Sequence, residues 1–73
     1  MNLSIVIPVY NSSSIISKLV SNVIEEILKN KKILHHQIIL VNDNSKDDSW
    51  NKILDICDKE KFVSGINLMK NYG

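Results

Sequence analysis

The sequence predicts an α/β fold, three parallel strands with two helices in the order β-α-β-α-β. Three observations carry that prediction. Leu3–Ile7 and Gln37–Val41 are apolar, largely β-branched runs of strand length. Between and after them lie stretches whose apolar residues recur every three or four positions. A third, weaker strand-like run spans Val63–Leu68. Helices inserted between buried strands imply parallel pairing with right-handed crossovers. This is one mononucleotide-binding half of a doubly wound sheet.

Leu3-Ser4-Ile5-Val6-Ile7 reads as a strand covered on both faces and ended by Pro8, which stops the ladder and turns the chain outward. Asn11–Ser14 is rich in helix-cap residues. Ile16, Leu19, Val20, Val23, Ile24, Ile27 and Leu28 then form one apolar helix face running to about Asn30. After the second strand, Asn42–Ser49 is a polar turn in which Ser45 and Asp48 make a loose capping box. Trp50, Ile53, Leu54 and Cys57 mark a second helix ending near Lys59, with Trp50 expected to pack under the sheet. Gly65 and Asn67 interrupt the third strand.

At 73 residues the chain makes at most one small domain. A domain of this size buries only roughly 60% of its unfolded surface, so its stability is marginal. A hydrophobic fraction of 44% with 23% charged residues is an ordinary globular balance and argues against disorder. A net charge of +1 gives no footprint for nucleic acid. Lys29, Lys31 and Lys32, followed by His35 and His36, read first as a solvated helix end and only second as a weak phosphate or headgroup contact. The two adjacent histidines do not project together as metal ligands, and both read as satisfied surface residues. The single cysteine, Cys57, falls on an apolar helix face and has no partner for an intrachain disulfide, which favours a reducing compartment. The apolar run at the N-terminus is too short to span a membrane. Two N-x-S triplets, at Asn2 and Asn11, carry no weight without a secretion signal.

Ligands of doubly wound sheets sit beyond the carboxyl ends of the strands, where the two polar loops fall. The first, Pro8–Ser14, has no glycine, which counts against a dinucleotide fingerprint and against a P-loop. Tyr10 offers an aromatic face and a hydroxyl to a nucleoside; the plain alternative is a strand-to-helix connection with an exposed Tyr. Asp43 follows the second strand. Its carboxylate can accept an imino N–H of uracil or guanine, or a ribose hydroxyl. The alternative is an Asx turn. Asp47 and Asp48 read as helix caps. No Ser-His-Asp arrangement, no metal set and no catalytic carboxylate pair can be read.

At these residues the sequence resembles the family 2 glycosyltransferases. Leu3–Asn11 looks like the family's opening "SVVIPVYN" strand. Ile38–Ser49 looks like its "ILVDDGSxDxS" segment, and Leu68–Gly73 like its "LxRNYG". The last is typical of the branch resembling dolichol-phosphate mannose synthases and bacterial polyprenyl-phosphate sugar transferases. The resemblance spans the chain and implies the Rossmann-like GT-A fold, with residues 1–73 as a partial nucleotide-sugar-binding domain. It also implies that Pro8 and Tyr10 line the nucleotide pocket and that Asp43 contacts the base of a nucleotide-diphospho-sugar.

Some positions depart from the pattern. Ser12 stands where this branch often has Glu, Asn42 where the first acidic residue of "DDGS" is usual, and Lys70 where Arg is usual. The planar fork of Arg is lost at the last. The family's later Asp-x-Asp element and its acceptor-activating base do not occur in these residues. Mg2+ or Mn2+ is expected for the full-length family, with no cofactor or catalytic residue within this chain. A cytoplasmic site, at or near the cytoplasmic face of the membrane, and a polyprenyl phosphate acceptor are the corresponding expectations. The first strand is expected to lie inside the parent sheet, beside a segment beyond Gly73. Alone it is an unpaired edge open to self-association. A truncated product or split reading frame, inactive alone, is the expectation for the chain; a non-catalytic interaction module or a functionless remnant is the alternative.

Overall fold

Strand β1, Asn2–Val9, pairs in parallel with β2, His35–Asp43, and β2 pairs in parallel with β3, Val63–Leu68. Helix α1, Ile16–Lys29, and helix α2, Ser49–Lys59, make the crossovers, so the sheet order is β1-β2-β3. The structure is a computed structural model and describes residues 2–68. The predicted β-α-β-α-β, Rossmann-like arrangement is the one observed.

Both crossovers step in the same direction across the sheet. Right-handed connections therefore place α1 and α2 on the same side. The strands alternate accordingly. Ile5, Ile7 and Val9 of β1, Ile38 and Leu40 of β2, and Val63 and Gly65 of β3 face the helices. There Ile16, Val20 and Ile27 of α1 and Ile53 and Ile56 of α2 complete the core. The opposite face carries Ser4, Val6 and Pro8, then Gln37, Ile39 and Val41, then Ser64 and Ile66. The expectation that β1 is covered on both faces is thus corrected. Within the described residues it is covered on one face, and Val6 remains 61% exposed.

Helix α1 departs from its predicted face at two positions. Leu19 and Leu28 are exposed, because a sheet of three strands is too narrow to cover the whole apolar stripe. Its start is also not capped by the polar residues before it. The N-cap is Ile15, without a side-chain hydrogen bond, and Ser12 C=O accepts from the N–H groups of Ile15 and Ile16.

β1 continues through Pro8, which pairs with Val41, and ends one residue later at the Val9–Asn42 rung. Pro8 therefore does not stop the ladder. Within the described sheet β1 is an edge strand, and proline costs no ladder bond where its missing N–H would point outward.

Gly65 is required by a close approach. A Cβ there would lie 2.7 Å from Ile53 Cγ2 and 3.3 Å from Trp50 Cζ3. Its lack of a side chain lets α2 press onto β3, and Trp50 packs beneath the sheet as expected. His36 is another helix-face residue, since it alternates with His35. It is half-buried, edge-on to Phe62 at 4.2 Å between ring centroids, and its buried Nε2 has no partner. The satisfied surface role expected for His36 is corrected; His35 is exposed. Cys57 packs against the core, and burial pushes its thiol pKa up, which suits a packing residue rather than a nucleophile.

Candidate functional site

The last rung of the β1–β2 ladder joins Val9 to Asn42. Immediately beyond it Tyr10 leaves β1, and Asp43 is the final residue of β2. The two candidates from the sequence therefore stand at the carboxyl ends of adjacent parallel strands. Tyr10 is 59% exposed and Asp43 is also open to solvent. Pro8 and Asp43 share the helix-free face by strand alternation. The "LxRNYG"-like stretch, including Lys70, lies outside the described residues apart from Leu68.

Both loops turn through left-handed backbone. Asn11 has φ 47° and Asn44 has φ 54°. Asparagine is among the few residues that enter this region readily. Asn44 occupies the glycine position of the "DDGS" pattern, and its positive φ explains why only Gly or a residue of this kind serves there.

Side chains of the second loop hold the backbone of the first. Asn11 N–H donates to Ser45 Oγ at 2.9 Å, Ser12 N–H to Ser49 Oγ at 2.8 Å and Ser13 N–H to Asp47 Oδ2 at 3.1 Å. In return Lys46 N–H donates to Asn11 Oδ1 at 2.8 Å. Ser12 Oγ–H donates to Tyr10 C=O at 2.9 Å, so the residue that replaces Glu closes the turn on Tyr10 itself.

Asp47 serves two elements at once. Its Oδ1 accepts from Ser49 N–H at 3.0 Å and from Ser49 Oγ–H at 2.5 Å, while Oδ2 reaches across to Ser13. The Ser49 hydroxyl, above all, holds the Asp47 carboxyl down at about 2, against an ordinary value of 3.8. The capping role expected for Asp47 is met at Ser49 N–H. Asp48 is the N-cap residue but makes no side-chain cap bond, and its Oδ1 accepts from Asn51 Nδ2 at 2.6 Å. The Ser45–Asp48 capping box does not form, because Ser45 Oγ is turned toward Asn11. Sequence reasoning missed this clasp. Its signal was the alternation of Ser45, Asp47 and Ser49, a spacing that helix capping does not require.

Asn42 explains a second departure. It is 3% exposed on the helix side, and its Nδ2–H donates to Asn67 Oδ1 at 2.9 Å. Its own Oδ1 is buried without a partner. Burying a charged carboxylate there would cost more than burying this neutral amide. The side chain ties the ends of β2 and β3 together.

A groove of about 350 Å³ lies elsewhere, between the start of β1 and α1, lined by Leu3, Ile5, Val23, Ile27 and Ile33 with Asn22 and Glu26 at its rim. It is nearly all apolar and reads as incomplete packing at the sheet edge. Among the described residues no three His, Cys, Asp or Glu side chains gather as a metal-holding group.

The glycosyl transferase family 2 pattern matches residues 4–73. The chain belongs to that family. It is 33% identical over 73 residues to an uncharacterized glycosyltransferase of Synechocystis sp., covering 100% of this chain and 22% of the relative. It is 37% identical over 71 residues to an undecaprenyl-phosphate 4-deoxy-4-formamido-L-arabinose transferase of Shewanella sediminis, covering 96% of this chain and 21% of that relative. The chain thus spans about a fifth of the length of these curated relatives. Among its described residues no helix is long and apolar enough to cross a membrane.

Proposed function

We propose that this chain forms the nucleoside end of the donor site of a glycosyltransferase, one that moves a sugar from a nucleotide-diphospho-sugar to an acceptor such as a polyprenyl phosphate. The observation that carries the reading is the placement of Tyr10 and Asp43 side by side past the last rung of two parallel strands. Tyr10 presents a ring for a base to stack on. Asp43 presents an acceptor to an imino N–H or a ribose hydroxyl. Pro8 supplies a rigid, apolar edge on the face that Asp43 shares. The acceptor class is supported by the name of the Shewanella relative.

On this reading the 73-residue chain binds a nucleotide without turning it over. Mg2+ or Mn2+, the pyrophosphate contacts and the acceptor-activating base belong to residues outside it, and the full enzyme works at the cytoplasmic face of the membrane.

Titration of the chain with uridine and guanosine diphosphates, followed by NMR, tests the site. Shifts confined to residues around Pro8, Tyr10 and Asp43 are expected, with Asp43→Ala abolishing them. No shifts at millimolar nucleotide, or shifts that Asp43→Ala leaves unchanged, would overturn the assignment.

The outer edge of β1, unpaired among the described residues, favours a second reading, an interaction module that pairs through this strand. A concentration-dependent dimer in sedimentation without nucleotide affinity would select it.

A further inference from the structure

Asn11, Ser12 and Ser13 direct three successive main-chain N–H groups at side chains of the other loop. Successive amides of this kind are what anion-binding loops use to hold phosphate. Here the chain fills the position itself, with one carboxylate and two hydroxyls.

Asp47 is the hub. One of its oxygens accepts the Ser49 hydroxyl proton, which turns the lone pairs of the Ser49 oxygen toward Ser12 N–H. Its other oxygen takes Ser13 N–H directly. Removing the carboxylate therefore unties the Ser13 amide directly and takes away the acceptor that orients the Ser49 hydroxyl beneath the Ser12 amide. The third amide is held by Ser45, and the Asn11–Lys46 bond closes the ring. Tyr10 directly precedes this clasp on one loop, and Asp43 stands two residues before Ser45 on the other.

We propose that Asp47 is a positioning residue for the nucleotide site, an internal anion that locks the first loop onto the second, sets Tyr10 against Asp43 and closes these amides to phosphate. The proposal rests on the nucleoside reading of Tyr10 and Asp43. Hydrogen bonds to a charged acceptor are the strong members of such a network, and the low carboxyl pKa shows the charge is well held.

NMR of the 73-residue chain tests it. In the wild type, the Ser13 and Ser49 amide signals should titrate together with a midpoint of about 2. Millimolar inorganic phosphate should leave the Asn11–Ser13 amides in place.

Asp47→Ala should speed solvent exchange of the Ser12 and Ser13 amides and weaken uridine or guanosine diphosphate binding about tenfold, while Ile38 and Leu40 amides stay protected. Asp47→Asn, which keeps one acceptor oxygen, should restore part of the affinity. Ser45→Ala, which touches only the Asn11 amide, should act in the same direction more weakly and serves if Asp47→Ala does not fold. Asp43→Ala should lose binding yet leave the Asn11–Ser13 amides unchanged.

Equal nucleotide affinity in wild type and Asp47→Ala, unchanged amide exchange, or phosphate shifts at Asn11–Ser13 would overturn the proposal alone. A wild-type chain that binds neither nucleotide would overturn the site reading first, and this proposal with it.

Discussion

On the helix side of the sheet, Ile38 and Leu40 have no exposed surface at all. One residue along on the neighbouring strands, Val6 and Ile66 keep 61% and 47% of theirs. The two faces are built from the same residue types on the same strands. What separates them is the hand of two connections. Each right-handed crossover delivers its helix to the same side, so one face gains a core and the other gains nothing within the described residues. An apolar run marks a strand, but it does not say which of its faces this chain will cover.

Four measurements bear on that contrast, beginning with the largest effect. Ile53→Ala opens a cavity at the centre of the covered face, where Ile53 touches both sheet and core. A loss of about 2–5 kcal/mol is expected, enough to unfold a domain of this size in a urea melt.

Gly65→Ala drives a methyl into Ile53 and the Trp50 ring. Overpacking of this kind costs about 1–3 kcal/mol. A neutral result in thermal melts would show that α2 can slide off β3.

The clasp at the strand ends should respond to acid. The folded-state pKa of Asp47 lies below its ordinary value of 3.8. Its contribution is therefore fully present above that value and is lost as pH falls through about 2. Stability of the wild type should drop across this window more than that of Asp47→Asn, read from melts at a series of pH values.

Val6→Ser and Ile66→Ser on the bare face should change stability by no more than about 0.5 kcal/mol. A loss above about 1 kcal/mol that grows with protein concentration would mean that a second copy covers this face.

The candidate site divides in a similar way. Tyr10 and Asp43 were legible because each lies within two residues of the end of an apolar run, and parallel strands bring such positions to one end of a sheet. The clasp between their loops was not. Asn11 and Ser45 lie 34 residues apart, and nothing local shows that one will accept from the other. Local rules assigned Ser45 and Asp48 to a helix cap because a cap is the nearest use for such residues. A partner brought in by folding claimed Ser45 instead. Pro8 misled for a related reason. Its missing N–H reads as a break, yet at a sheet edge there is a direction in which that loss costs no bond.

By itself, the sequence determined the order of strands and helices, the family, and the two residues that stand at the strand ends. Periodicity and short motifs are local properties, and all of these follow from them. Only the tertiary structure decided which face of the sheet is buried, why Gly65 must be glycine, why Asn42 is held as a neutral amide, and that Asp47 serves the first loop as well as its own helix. Each depends on groups distant in sequence meeting at hydrogen-bond or van der Waals distance, and that proximity exists only after the crossovers have set the sheet and helices in place.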